Sequence, residues 1–455
     1  MRRLLVCALA LLCAVLPLSA PRAEQLASVP AIFDVSYDVK ERKENNNRRF
    51  VSKEYLQTTN ARVNEELKAL ADDLDERLLP VMQDDPKKNP RRNSRLDIEA
   101  VHTLTGQSWM SVLLLGRVSF NRAQVCSPFY TRTWDLQTGE RVLLTDIFPQ
   151  DSPAWDFLAS RVREHVSGLF PQDARNPQAV EALCTRDAIQ NADFTLSAME
   201  LTLHYTADQV YEGRPCLMHV RFFYDELWPW MTEEARRQTD NSAYKMVAIT
   251  CDDGPAYAET ANALTNFRRE GIRATFFTVG KRVAGNPDIL LREFDQNHII
   301  ASHTYNHWSG YSEKPETRLK ELSDHNALLE TLTGEHVTLF RAPGGTYPPW
   351  VEAGIGLPII QWSVDTYDYT GKAANKIFYS IRNNVMDGDV ILSHDSGKQM
   401  YKSIPLFAKW FRQNGYLAVT VEELARMNGV EMRPNEVYYR FLDGETGKRR
   451  DSNTN

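Results

Sequence analysis

Beyond one short apolar segment at its start, the chain has no long hydrophobic run. Met-Arg-Arg is followed by an apolar stretch over 4–18, closed by Pro17, Ser19, Ala20 and Ala23. A charged start, an apolar middle and small residues at the end read as an export signal over 1–23. Cleavage is expected after Ala23, since Pro21 disfavours a cut after Ala20. The stretch is short for a membrane span, so an uncleaved anchor is the weaker alternative. The chain is therefore expected to be exported, to the periplasm, the cell wall or the medium, with no transmembrane segment beyond the signal. Cysteine is scarce: six in 455 residues, with Cys7 and Cys13 inside the signal. A disulfide among Cys126, Cys184 and Cys216 suits an exported chain, whereas Cys251, ending an apolar strand, reads as a free packed thiol. Positive charge is in deficit. The net charge is −7, and loss of Arg2, Arg3 and Arg22 with the signal makes it more negative still. Such a chain lacks the cationic surface that nucleic acid binding needs. The dense basic run, Lys87, Lys88, Arg91, Arg92 and Arg95, is interrupted by Pro90. It reads as a solvated loop, with contact to an anionic wall polymer as the lesser reading.

What is present is a globular composition, 42% hydrophobic and 25% charged, in a chain long enough for two domains. Over 30–239 the pattern is α+β. Leu56, Val63, Leu67, Leu70, Leu74 and Leu78 recur at helical spacing. Strand-like runs follow at 109–120, 128–136 and 141–148. A helix starts at Asp151-Ser152-Pro153, strands recur at 199–205 and 217–224, and another helix covers 226–237. Together they suggest a sheet covered on one side. A polar linker over 236–243 precedes a second domain over 245–430. There apolar strands alternate with amphipathic helices, at 246–250, 274–279, 299–302, 337–341, 359–364, 390–393 and 417–421. Seven or so β-then-α units imply a parallel sheet closed or partly closed into a barrel. Residues 431–455 read as a polar, mobile tail.

In such a barrel the chemistry gathers at the carboxyl ends of the strands, and five polar clusters begin there. Asp252 and Asp253, in Thr250-Cys251-Asp252-Asp253-Gly254-Pro255, are adjacent carboxylates that repel unless a cation or proton is near. A solvated turn is the bland alternative. His303 and His307, four apart, are read as sharing one face of a helical turn. With an acid they make a three-ligand metal set that leaves positions open for water and substrate. Arg341, in Arg341-Ala342-Pro343-Gly344-Gly345, can hold a carboxylate ionised, and the glycines admit a backbone N–H to an oxyanion. Asp365 and Asp368 supply acids to orient a histidine, and His394 ends the last of these strands. With a partner such as Asp368 its pKa rises and it can act as a general acid. Each cluster is weak alone; in this order, all at strand ends, they are strong together. Trp308, Tyr347, Trp350 and Tyr369 are aromatics suited to stacking on sugars.

Residues 245–427 resemble the polysaccharide deacetylase domain of carbohydrate esterase family four. That family carries the ordered motifs T-F-D-D-G-P, H-[ST]-x-x-H, R-x-P-[YG]-G, D-x-x-D-W and L-x-H. The resemblance implies an α/β fold, a distorted (β/α) barrel of about seven strands, here preceded by a smaller α+β domain. It implies a divalent metal, zinc first, with cobalt, manganese or nickel as alternatives. By the same resemblance Asp252 is the general base; Asp253, His303 and His307 bind the metal; Arg341 positions Asp252; and Asp368 tunes His394 as general acid. The Gly344 N–H helps hold the oxyanion and Leu392 lines the acetyl pocket. Three departures stand out: Cys251 for phenylalanine, Gly344 for the commoner tyrosine, Tyr369 for tryptophan. The last two alter the groove, where Trp350 is a further candidate. The first half is similar, over 138–148 and 217–227, to a domain of unknown function that precedes the catalytic domain in some bacterial peptidoglycan deacetylases. The implied reaction is N-deacetylation of peptidoglycan or, second, of chitin-like oligomers. An O-acetyl esterase on xylan and an inactive glycan-binding protein are the alternatives. The pattern specifies no oligomeric state.

Overall fold

The structure, a computed structural model, describes residues 34–44, 48–88, 93–171, 173–442 and 445–446. The export signal, Arg91 and Arg92 of the basic run, and the last residues of the tail lie outside the described residues.

The first half builds around a twisted sheet and one long helix. Val63, Leu67, Leu74 and Leu78 form the buried stripe of the Ala61–Lys88 helix, as their spacing predicts. Leu56 does not join them. Asn60 caps the helix, its side chain accepting the backbone N–H of Arg62 at 3.1 Å, so Leu56 falls on the preceding strand, Arg49–Gln57. That strand, the helix and the Ser94–Thr105 strand form a crossover unit, and the two strands pair in parallel. The other neighbours, from Ser36–Glu44 through Trp109–Phe120 to Phe129–Asp135, pair antiparallel. Leu96, Ile98, Met110, Val112 and Leu114 sit on the face turned to the helix.

The sheet is not covered on one side only. Its second face carries buried Glu54, Asp97, Glu99 and Arg117, set against the Glu259–Arg269 and Pro287–Asp295 helices of the second half. Glu99 accepts Arg117 at 2.6 Å and also meets Arg292 and, at 3.5 Å, Arg268. Glu54 takes Arg268 and, at 2.6 Å, Arg269. Burial disfavours the Glu99 charge, but the surrounding guanidiniums hold its carboxyl well below the usual carboxylate range.

Three further expectations are corrected. The helix over 226–237 is two short pieces, Tyr224–Leu227 and Glu233–Thr239, separated by Trp228-Pro229-Trp230, where the proline lacks the donor a continuous helix requires. The linker is docked: buried Gln238 accepts the backbone N–H of Gln107 at 3.0 Å and of Ser108 at 3.3 Å. No disulfide forms among Cys126, Cys184 and Cys216. All are free thiols, the last two packed as small apolar groups in the core around Trp155.

From Lys245 to Val419 the paired strands run parallel. Ile299–Ser302, Thr275–Thr278, Lys245–Asp252, Val390–His394 and Val364–Asp365 lie side by side, and Tyr416–Val419 pairs with the start of Lys245–Asp252. The strand expected over 337–341 shrinks to bridges from Phe340 to Ser302 and Ile359. Beyond it the Arg341 carbonyl is taken by His303 and Pro343 offers no donor. Alternate residues separate cleanly. Met246, Ala248, Phe277, Ala301, Ile360 and Val390 share one cluster. Val247, Ile249, Cys251, Phe276 and Ile391 face the helices Glu259–Arg269, Ala374–Arg382 and Met400–Gln413. The stretch expected as a tail is partly integral: Val437–Tyr438 pairs with Ile359–Ile360, and Tyr438 and Phe441 are buried in the first cluster. Two aromatics outweigh the polarity around them. Among the described residues no helix is long and apolar enough to cross a membrane.

Replacing Glu99 with alanine leaves the guanidiniums of Arg117 and Arg292 without their carboxylate in the interior. The urea unfolding midpoint is expected to fall by the equivalent of about 3–5 kcal/mol, and an unchanged midpoint would contradict the clamp.

Candidate active site

The face of Lys245–Asp252 that carries Met246 and Ala248 continues to Thr250 and Asp252, so the strand's alternation delivers Asp252 to the rim. Asp252 is the register partner of His394 on the adjacent parallel strand. Partners in register share a face, and neighbouring strands lie about 4.8 Å apart. Asp253 follows with φ 74°, a left-handed conformation that turns its carboxylate out of the strand's alternation.

Asp253, His303 and His307 converge. One ligand atom from each lies within 4.8 Å of the others. His307 Nε2 is 3.0 Å and His303 Nε2 3.6 Å from Asp253 Oδ1. That oxygen is buried yet accepts no hydrogen bond, so the close nitrogens are not aligned as donors to it. His303 Nδ1 donates to the carbonyl of Arg341 at 2.7 Å, which leaves Nε2 as a lone pair facing the acid. Two imidazole nitrogens and a carboxylate oxygen at these separations are the donor set of a divalent cation, and the residues fit one. Burial alone would raise the Asp253 carboxyl, but His307 and His303 hold it well below the usual carboxylate range. The histidines do not share a helical turn, as their spacing suggested. They stand on an irregular loop in which Thr304 (φ 67°) and His307 (φ 64°) are left-handed, and Thr304 Oγ1 accepts the His307 N–H at 2.9 Å.

Arg341 is wholly buried and spends its donors on Asp252 Oδ1 and Thr250 Oγ1, each at 2.7 Å, and on the carbonyls of Ile360 and Gln361 at 2.9 and 3.0 Å. Asp252 Oδ2 is left facing His303 Nε2 at 3.8 Å. On the other strand, Asp368 grips His394 twice: Oδ1 accepts ring Nδ1 and Oδ2 the backbone N–H, both at 2.7 Å. Burial opposes charge on this imidazole, but the Asp368 hydrogen bond and the acids nearby outweigh it and raise its pKa to about 9.

The remaining expected residues separate into rim and core. Tyr369 is 58% exposed, its ring 5.5 Å from that of His394 and its hydroxyl donating to Asp365 at 3.2 Å. Gly344 is left-handed (φ 62°) with open space where a side chain would stand. Leu392 is buried between Thr250 and Asp365 in register. Trp350 is no sugar platform. It is 0% exposed, packed on Phe340, with its indole N–H donating to the Ser309 carbonyl at 3.1 Å. Asp395 escaped the sequence reading, although a second acid directly after His394 was visible. It is buried, accepts Thr260 Oγ1, and packs so closely on Gly254 that any side chain there would overlap its carboxylate. Burial, with Asp253 nearby, raises its pKa to about 7.

A metal-ready triad, a carboxylate held by arginine and an imidazole held by aspartate are thus gathered at the carboxyl ends of parallel strands. Comparison with known proteins agrees: the Polysaccharide deacetylase family matches residues 239–354. A peptidoglycan-N-acetylglucosamine deacetylase of Listeria monocytogenes is 32% identical over 180 residues, 40% of this chain and 39% of the relative. One of Bacillus cereus is 32% identical over 190 residues, 40% of this chain and 89% of the relative. A solved peptidoglycan deacetylase from Bacillus subtilis is 27% identical over 41% of this chain and 92% of that one, with TM-score 0.40. The chain belongs to the polysaccharide deacetylase family, and it spans 39% of the length of the Listeria relative.

With its pKa near 9, His394 lies above the roughly 6.5 of an unperturbed imidazole. Its pairing with Asp368 therefore adds stability that is whole below about pH 6.5 and lost as pH rises through about 9. Asp368→Asn is expected to bring the His394 NMR titration down toward about 6.5. A titration still near 9 in the variant would assign the shift to other charges.

Proposed function

We propose that this protein removes acetyl groups from N-acetylated amino-sugar polymers, peptidoglycan first and chitin-like oligomers second, with release of acetate. The single observation that carries the reading is the juxtaposition on one rim of the Asp253–His303–His307 set with Asp252 and His394, register partners on adjacent strands. Held by the triad, a divalent ion, zinc before cobalt, manganese or nickel, would supply Lewis-acid polarisation of the acetyl carbonyl and acidify water. Asp252, positioned through Oδ1 by Arg341, takes the proton of the attacking water on its other oxygen. The Gly344 N–H serves the developing oxyanion, and no neighbour stands within 4 Å of where a side chain on that residue would begin. His394, charged at neutral pH through Asp368, protonates the departing nitrogen so that the amine leaves neutral. Leu392 borders the acetyl methyl, and Tyr369 gives the sugar an aromatic edge.

The surrounding architecture is read in the same way: a distorted (β/α) barrel over 245–430 behind an accessory α+β domain over 30–239. An exported enzyme acting at the cell wall suits both the substrate and the leader-like start. The named activities of relatives support the substrate order: those of Listeria and Bacillus cereus are peptidoglycan deacetylases at 32% identity, and a bifunctional xylanase/deacetylase of Pseudobutyrivibrio xylanivorans is 29% identical.

Mass spectrometry of muropeptides and chitooligosaccharides treated with the zinc-loaded protein is expected to show amino sugars lacking their N-acetyl groups. Acetate from acetylated xylan alone would replace the reading with an O-acetyl esterase. No acetate from any of the three, with zinc bound normally, would leave a glycan-binding protein. Asp252→Asn and His394→Ala should each lower kcat by about 10²–10⁴-fold. Asp253→Ala and His303→Ala should remove the zinc isotherm in calorimetry.

A further inference from the structure

A second cleft opens where the N-terminal sheet lies over the Glu259–Arg269 and Pro287–Asp295 helices. Its inner part, about 370 Å³, is bordered by the ion-pair clamp of Glu54, Glu99, Arg117, Arg268 and Arg292, whose charges are committed to one another. Its outer part, about 580 Å³, shares Arg95, Tyr257 and Asp288 with the inner one and adds Arg48, Phe50 and Arg122. The two differ in chemistry. The outer chamber sets Arg122 and two aromatic rings beside Arg95, which Asp97 already holds at 2.5 and 2.7 Å, and beside Asp288, whose carboxyl burial pushes up.

Arg122 is the telling residue. It stands at the tip of the hairpin joining Trp109–Phe120 to Ala123–Cys126, where Asn121 (φ 47°) and Arg122 (φ 69°) are both left-handed. The second position of such a turn favours glycine, and a long side chain there costs backbone strain. The strain places a guanidinium 4.1 Å above the ring of Tyr257, itself 43% exposed. Among the described residues Arg122 makes no ion pair. Arg95 lies over Phe50 at 4.4 Å in the same way.

The chamber is joined to the catalytic rim by one short, fixed loop. Tyr257 follows Asp253 by four residues, a reach of at most about 14 Å. Between them Ala256 N–H donates to Thr260 Oγ1 at 2.7 Å, and the Pro255 carbonyl accepts Asn286 at 3.2 Å. A water-filled gap between two charged surfaces would need neither the strained arginine nor the aromatic rings. Exposed ring faces suit sugar C–H surfaces, and guanidinium forks suit carboxylates.

Resting on the proposed activity, we infer that the outer chamber binds a carboxylate-bearing stretch of the same glycan strand whose acetyl group lies at the Asp253–His303–His307 rim. The site thereby selects an anionic polymer over a neutral one, and the first half of the chain contributes to substrate choice.

The test is co-sedimentation of the full-length, zinc-loaded chain with purified peptidoglycan sacculi and, separately, with chitin, over a range of NaCl concentrations. Arg122→Glu and Tyr257→Ala are expected to raise the sacculus concentration for half-saturation about tenfold, in the range set by loss of one or two kcal/mol-scale contacts. Arg122→Glu should also flatten the salt dependence and change chitin binding far less. Lys409→Glu, the same charge reversal on the exposed side of the Met400–Gln413 helix, should bind sacculi as the unaltered chain does. Wild-type sacculus binding by both Arg122→Glu and Tyr257→Ala would overturn the inference. So would equal weakening by Lys409→Glu, or equal loss on chitin. Thermal midpoints confirm that each variant is folded. Because binding is read without catalysis, a protein that releases no acetate yet loses sacculus binding on Arg122→Glu would refute the activity and leave the chamber standing.

Discussion

The buried guanidinium of Arg341 is the constraint on which the rest of the rim depends. It crosses the interior to reach Thr250 and Asp252 on one strand and the Ile360 and Gln361 carbonyls on another, with the Phe277 ring 4.2 Å away. The carbonyl of the same residue fixes the ring of His303. One side chain and its own backbone thus set both a carboxylate and a neighbouring imidazole. A fully buried charge is tolerated when its partners are in place, and here each of the three guanidinium nitrogens has a carboxylate, hydroxyl or carbonyl partner. The positions of Asp252 and the His303 ring are therefore inherited from the interior.

The Glu259–Arg269 helix ties the two halves of the chain to that rim. Its first turn supplies Thr260, which holds the Asp395 carboxylate behind Gly254, and its last supplies Arg268 and Arg269, which grip Glu54 on the accessory sheet. Strain or docking on the sheet has a rigid route of two to three helical turns to the loop carrying Asp253. The sheet's period of two makes this arrangement possible. One set of alternate residues is apolar and packs on Ala61–Lys88, while the other is charged and meets the second half.

The second half was legible because its apolar runs were short, regularly spaced and each followed by polar residues, which is how a parallel sheet with chemistry at one end is written. Asp252, Asp253, His303, His307, Arg341, Asp368 and His394 were singled out as candidates that way, and the folded chain brings them to one rim. What could not be read were properties decided by packing. Trp350 looks the same in sequence whether it stacks on a ligand or fills the space against Phe340. The i, i+4 spacing of His303 and His307 mimics a helix, while left-handed Thr304 and His307 produce the shared geometry differently. The first strand, Ser36–Glu44, was missed because an exposed edge strand is rich in charge and lacks apolar alternation. Tyr438 and Phe441 were hidden in a polar stretch, since two aromatics carry no period.

The alternation of Lys245–Asp252 also governs what kind of ion the rim can prefer. Cys251 sits between Thr250 and the paired acids, yet its sulfur faces the helical layer, 3.5 Å from the Ser393 hydroxyl, and burial pushes its thiol up and away from ionisation. A thiolate ligand would draw soft ions and redox-active copper, whereas imidazole and carboxylate suit borderline and harder ones. A one-residue slip in the strand would exchange sulfur for oxygen at the rim. Strand register, rather than the inventory of nearby ligands, keeps sulfur away from this rim and lets a cysteine occupy that position as a packed, un-ionised thiol.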